Sequence, residues 1–261
     1  MRKLLIYAVF LLLLVASVSA QQITVAAAAD LNYALKDLRL RFEHKTGDKV
    51  TLSFGASGNL FAQIQSGAPF DLFFSADEEY PKKLAEAGLA EKASLRTYAI
   101  GHLVLWVPNG VGLDRDHLPG PDTLLRDILL QPSIQHIAIA NPKTAPYGRA
   151  AMAALEHFGL KDKVAAKLVF GENVSQAAQF VQSGNAQAGL IPLSLAMAPA
   201  MQGLGHYWEL PADSYPELRQ TAVIVSSSKR KATAQTFLDY VTSAEGTAVL
   251  EQYGFRVPQA K

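Results

Sequence analysis

The segment Ile23-Thr24-Val25-Ala26-Ala27-Ala28-Ala29-Asp30-Leu31 decides how the chain is read. Its β-branched start reads as a strand, and a turn of small residues follows. Leu31, Ala34, Leu35, Leu38 and Phe42 then recur at the i, i+3, i+4, i+7 spacing of one helix face. The same grammar repeats downstream. Val50-Thr51-Leu52-Ser53-Phe54 leads through Gly55-Ala56-Ser57-Gly58-Asn59 to Leu60, Phe61 and Ile64, and Leu72-Phe73-Phe74 leads through an acidic turn to Pro81, a residue suited to a first helical turn. Residues 103–107, 137–139, 188–191 and 222–225 read as further strands. Ala151, Ala154, Leu155 and Phe158 form one helical stripe, and Val174, Ala177, Ala178 and Val181 form another. From about Thr233, the residues Phe237, Leu238, Val241, Val249 and Leu250 predict terminal helices. This alternation predicts an α/β fold of crossover units, with helices covering both faces of parallel sheets. The Pro- and Gly-containing stretches 109–122 and 199–216 read as surface connections.

The N-terminus reads as an address. Arg2 and Lys3 precede an apolar run from Leu4 to Ala16, and Ser17-Val18-Ser19-Ala20 supplies small residues for cleavage after Ala20. As a helix that run is about 20 Å long, short of the ~30 Å hydrocarbon core of a bilayer. A signal peptide over residues 1–20 therefore predicts a soluble, exported, periplasmic protein. Of 261 residues, 24 are Lys or Arg and 23 are Asp or Glu; losing Arg2 and Lys3 leaves 22 basic residues against 23 acidic ones. So even a balance gives no sequence-wide attraction to nucleic acid. With no cysteine there is no disulfide, thiolate metal site, Cys nucleophile or Cys-linked lipid.

Catalytic fingerprints are absent. Gly55-Ala56-Ser57-Gly58-Asn59 misses the nucleophile elbow G-x-S-x-G at its last position, which leaves a secreted serine hydrolase using Ser57 as a weaker alternative. The six histidines, at 44, 102, 117, 136, 157 and 206, have no metal-ligand spacing and read as surface or hydrogen-bonded structural residues. Asp77-Glu78-Glu79 reads as an acidic helix start, with Ser75 and Glu78 at the spacing of a capping box. Neither the P-loop nor the dinucleotide fingerprint occurs. What remains is a set of small-residue turns at 26–30, 55–59 and 142–148, each placed where a strand gives way to a helix and where exposed N–H groups attract anions.

Four segments in order resemble the molybdate-binding proteins of bacterial ABC importers. They are residues 23–31; residues 53–60 running on to Gly67-Ala68-Pro69-Phe70-Asp71-Leu72-Phe73-Phe74-Ser75-Ala76-Asp77; Asn141-Pro142-Lys143-Thr144-Ala145-Pro146-Tyr147-Gly148; and Glu172-Asn173-Val174, with Tyr253-Gly254-Phe255 as a family-like ending. The resemblance implies a type II periplasmic binding protein fold, in which two α/β lobes joined by two crossing segments close over an oxyanion. Lobe I would comprise 21–100 plus 218–261, and lobe II 101–217. It implies a monomer that is not an enzyme, has no resident cofactor, and delivers molybdate or tungstate to a membrane permease. Molybdenum would be held only as molybdate, through the same residues that hold its oxygens.

Carried over residue by residue, the resemblance implies that Asp30, Ser57, Tyr147 and Val174 bind the oxyanion. Ser57 would offer its hydroxyl and N–H, and Tyr147 and Val174 their N–H groups. At Asp30 many relatives have Ser or Asn, which can donate; an ionised Asp cannot. Its N–H would serve, with the carboxylate turned away to cap the following helix. Pro192 stands where some relatives place a Tyr hydroxyl, and proline supplies neither hydroxyl nor N–H. Molybdate is a fully deprotonated tetrahedral dianion near neutral pH, so a pocket of donors suits it. Sulfate and phosphate are the competing oxyanions. An organic ligand such as an amino acid would call for an Arg and an acid instead.

Overall fold

The computed structural model describes residues 20–111 and 121–258. The predicted signal peptide, apart from Ala20, and most of the predicted connection 109–122 lie outside them. In chain order the strands are β1 (Gln22–Ala28), β2 (Lys49–Gly55), β3 (Leu72–Ser75), β4 (Arg96–Gly101), β5 (Leu103–Pro108), β6 (Ile137–Ala140), β7 (Leu168–Gly171), β8 (Ala188–Pro192), β9 (Gly205–Glu209) and β10 (Leu218–Ile224). The α-helices are α1 (Asn32–Thr46), α2 (Ser57–Gln65), α3 (Glu79–Glu86), α4 (Pro121–Leu129), α5 (Pro146–His157), α6 (Lys161–Val164), α7 (Val174–Gln182), α8 (Leu193–Ala196), α9 (Lys231–Val241) and α10 (Ala244–Gln252).

Two five-stranded sheets result, ordered β2-β1-β3-β10-β4 and β7-β6-β8-β5-β9. Each is the centre of an α/β lobe. The chain crosses between the sheets at Gly101-His102-Leu103, and returns between β9 and β10. The sheets are mixed rather than parallel as expected. β1 runs parallel to β2 and β3, and β6 to β7 and β8, but β10 is antiparallel to both its neighbours and so is β5. The antiparallel strands are those next to the crossings, where the chain turns into the other lobe instead of completing a crossover helix.

Three strands escaped the sequence reading: β4, β7 and β9. All three are edge strands. An edge strand is covered on fewer sides, so its apolar alternation is weak; β9 lies in the stretch expected to be a surface connection, and Phe170 of β7 is 51% exposed. The expected helix faces are otherwise as the periodicity requires. Leu31, Ala34, Leu35, Leu38 and Phe42 are buried together with Phe237, Leu238, Val241, Val249 and Leu250 on one side of the first sheet. Val174, Ala177, Ala178 and Val181 pack in the core of the second. His102, at the first crossing, differs from expectation: it is buried with Nε2 unpartnered, and burial holds its pKa down.

Asp71 ties the first sheet together. Its Oδ2 accepts the Thr24 N–H at 2.8 Å, and its Oδ1 accepts the Ser228 hydroxyl at 2.6 Å, so one carboxylate joins β1 to the loop after β10. Replacing Asp71 with Ala orphans two donors where water has little access. The expected loss is about 2–4 kcal/mol of unfolding free energy, measured as a lower urea midpoint with an unchanged slope.

Candidate functional site

Strand register sets up the site. β1 and β2 end level, with Ala28 opposite Gly55, and β6 and β7 end level, with Ala140 opposite Gly171. A helical segment begins at or just beyond each of the four ends, and the two lobes bring these beginnings face to face. Between them lies a small cavity lined by Asp30, Ser57, Tyr147 and Val174 together with Ala28, Ala56, Ala76 and Ala145. All four residues carried over from the sequence therefore meet at one place. Pro192 does not line it; it ends β8, opposite Leu103.

The helix starts are unusual in what they omit. Ala28 precedes the 3-10 turn Ala29–Leu31 that leads into α1, and Ala56 and Ala145 precede α2 and α5; all three occupy N-cap positions and make no side-chain cap hydrogen bond. Alanine at an N-cap costs about 1 kcal/mol relative to Ser, Asp or Asn. Its small side chain also leaves the first-turn N–H groups of Ser57 and Tyr147 without a side-chain acceptor at their own helix starts, while the Asp30 N–H has only its own carboxylate. The fourth start is capped, but Asn173 Oδ1 takes the N–H groups of Ser175 and Gln176 and leaves that of Val174. The Ser57 oxygen accepts the Ala76 N–H at 3.0 Å, so its own proton remains available to donate.

Asp30 departs from expectation. Its carboxylate caps no helix. Instead Oδ2 accepts Gln220 Nε2 at 2.5 Å, and Gln220 Nε2 also reaches the Tyr147 hydroxyl at 3.1 Å. Gln220 Oε1 accepts the Tyr98 hydroxyl at 2.8 Å. Burial raises the Asp30 pKa to about 6, although Gln220, Tyr147 and the local backbone N–H groups pull it down. Burial also pushes the Tyr98 and Tyr147 hydroxyls well above their ordinary range, so both stay protonated. The Tyr147 ring is thus a buried strut running back to the crossing, where a Cβ on Gly101 would run into its hydroxyl. Gln220 was not singled out from sequence. The strand read from sequence is 222–225, so Gln220 lies before it; β10 in fact begins at Leu218 and includes Gln220.

The lobes are held shut around this cavity. Gly58 N–H donates to Thr144 O at 2.8 Å, Ser194 Oγ to Asp30 O at 2.8 Å, and Ser175 Oγ to Ala29 O at 3.2 Å. A Cβ at Gly58 would lie 2.9 Å from Thr144 O, so glycine is what permits the approach. At the rim, Arg149 Nη2 of α5 meets Asp77 Oδ2 at 2.5 Å and Nη1 meets the Tyr80 hydroxyl at 3.2 Å. The expected Ser75–Glu78 capping box does not form. Ser75 is the last residue of β3, and Asp77 Oδ1 accepts the Tyr80 N–H at the start of α3.

Comparison with known proteins agrees with this architecture. The family model for bacterial extracellular solute-binding proteins matches residues 23–256. The molybdate-binding protein ModA of Azotobacter vinelandii is 39% identical over 243 residues, covering 93% of each chain. That of Rhodobacter capsulatus is 35% identical over 237 residues, covering 91% of this chain and 89% of its own. The solved structure of the Azotobacter vinelandii periplasmic molybdate-binding protein superposes with a TM-score of 0.82 at 36% identity, over 91% of this chain and all of that one. The chain belongs to the bacterial extracellular solute-binding proteins, and within them to the family of the molybdate-binding proteins.

Proposed function

We propose that this protein captures molybdate, or tungstate of nearly the same size, between its two lobes and delivers it to the membrane permease of an ABC importer. It acts as a monomer in the periplasm after removal of residues 1–20, and it binds without turning over its ligand. Among the described residues no helix is long and apolar enough to cross a membrane.

The observation that carries the reading is the set of three alanine N-caps on one cavity. Leaving helix starts uncapped is unfavourable unless something else accepts from their N–H groups, and an oxyanion is the acceptor that helix starts favour. Asp30, Ser57, Tyr147 and Val174 would supply the N–H groups, and Ser57 its hydroxyl as well. Hydrogen bonds to a charged partner contribute about 1.5–3 kcal/mol each, so six or seven give roughly 10–20 kcal/mol before desolvation and lobe closure are subtracted. What survives corresponds to nanomolar to micromolar affinity, about −12 to −8 kcal/mol. Sulfate has the same charge and acceptors, so cavity size separates it from molybdate.

Calorimetric titration with a panel of oxyanions tests this. Molybdate and tungstate are expected to bind, with sulfate and phosphate much weaker, and Ser57→Ala is expected to lose about 1–3 kcal/mol. Unchanged affinity in that variant would remove Ser57 from the pocket. Tight sulfate or phosphate binding without molybdate binding would reassign the ligand. Turnover of an ester substrate that Ser57→Ala abolishes would restore the hydrolase alternative.

The Arg149 contact generates a second expectation. The guanidinium is partly exposed and its pairing with Asp77 is worth at most about 1 kcal/mol, yet it forms only when the lobes are closed. Arg149→Met is expected to weaken molybdate binding about two- to fivefold through faster release. Stopped-flow dissociation measures this, and the wild-type off-rate should rise with salt while that of the variant stays flat.

A further inference from the structure

Asp30 places a buried carboxyl beside the cavity that a dianion would fill. It lines the cavity, is 1% exposed, and its Oδ1 has no hydrogen-bond partner. The groups that face it are Gln220 of β10, the Tyr147 hydroxyl of α5, the backbone N–H groups of Asp30 and Leu31, the Tyr98 hydroxyl of β4 behind Gln220, and Ser194 of α8 on its backbone carbonyl. None is a cation. The next titratable neighbours are Asp77, whose charge reaches Tyr98, and Tyr215, which reaches Tyr147. Among the described residues no positive charge therefore offsets a carboxylate here, and the donors that could solvate it are shared with the anion or already engaged.

Resting on the reading that an oxyanion occupies this cavity, we propose that Asp30 is the neutral acid in the loaded protein, so that one proton is taken up from solvent as the dianion enters. The balance is simple: ionised protein, a proton and the dianion give the protonated complex, and no bond in the anion changes. Oδ1, the oxygen without a partner, receives the proton. In the closed, unloaded cavity burial, opposed by the hydrogen bonds from Gln220, Tyr147 and the local backbone, already brings the group to about 6. Two added negative charges disfavour the carboxylate further and raise the value again. The sign follows by linkage. Below about pH 6 the acid is protonated with or without the anion, and affinity is at its maximum. Above that pH the proton must be fetched on binding, and affinity falls as pH rises, by up to about tenfold per unit, until the pKa of the loaded state is passed. Asp30 thus acts as a proton-linked determinant of affinity beside the four sets of donors.

The test is molybdate titration of the native protein from about pH 6.5 to about 8.5, where this anion stays fully deprotonated, in pairs of buffers with different ionisation enthalpies. The expected result is uptake of more than about half a proton per anion near pH 7.5, with affinity weakening as pH rises. Asp30→Asn, which imitates the neutral acid, is expected to take up no proton and to bind with an affinity that does not change over this range. Should that variant fail to fold, proton uptake by the native protein decides. Binding without proton uptake and without pH dependence overturns the proposal, as does Asp30→Asn keeping the native pH dependence. Preference for hydrogen phosphate over molybdate also overturns it, because the carboxylate would then be accepting a proton from the ligand. Failure of both proteins to bind any oxyanion at any pH defeats the underlying reading instead.

Discussion

The site depends on a matter of register. Two pairs of parallel strands, one pair in each lobe, stop level with one another, so the helical segments that follow begin side by side. A helix start carries donors that its own backbone cannot satisfy. Four such starts turned toward one point make a concentration of uncommitted N–H groups that no single element could provide. Alanine at three of the N-caps keeps these donors from being satisfied locally. A serine or aspartate at any of them would stabilise its own helix and close off part of the cavity at once.

Bringing the four starts together requires the lobes to be joined in a fixed relation, and the buried polar chain through Asp30, Gln220 and Tyr98, with Tyr147 bonded to the same glutamine, does this at the crossing. It connects the turn after β1, the strand β10 that has just returned from the second lobe, the strand β4 about to leave for it, and helix α5 on its far side. The rim contacts of Arg149 with Asp77 and Tyr80 lie at the outer edge of the same cleft. The two groups of contacts differ in character. The inner network is buried and directional and sets geometry; the rim pair is partly exposed and weak, and so can break each time the cleft opens.

How legible this was follows from what each feature rests on. Most strands and the longer core-packed helices were readable because apolar periodicity is a local property: Leu31 to Phe42 and Val174 to Val181 announce their faces within a few residues. The edge strands β4, β7 and β9 were not, because they owe their structure to neighbours distant in sequence; the edge strand β2 was, through its own run from Val50 to Phe54. The four cavity residues were found through resemblance. Val174 in particular has nothing but a core-like side chain, since the group it would present is the backbone N–H that almost every residue shares. The direction of the Asp30 carboxylate was misjudged for a related reason. Asp before a helix ordinarily caps it, and only the fold brings Gln220, 190 residues away, to within hydrogen-bond reach.

A cavity built from dipoles suits transport better than one built from charges. A Lys or Arg in the cleft would hold a dianion strongly, but an open, empty lobe would then expose an unpaired charge to sulfate, phosphate and every other anion in solution. Helix N–H groups offer little to an anion while the lobes are apart, because water competes with each of them separately. Their combined attraction develops only when closure removes water from all four at once. Selectivity then rests on whether the lobes can close fully, which depends on the size of the ion. Release needs only that closure be undone at a weak rim. A neutral Asp30 fits the same logic, since it contributes no net charge to the filled cavity and carries no counterion into the closed state.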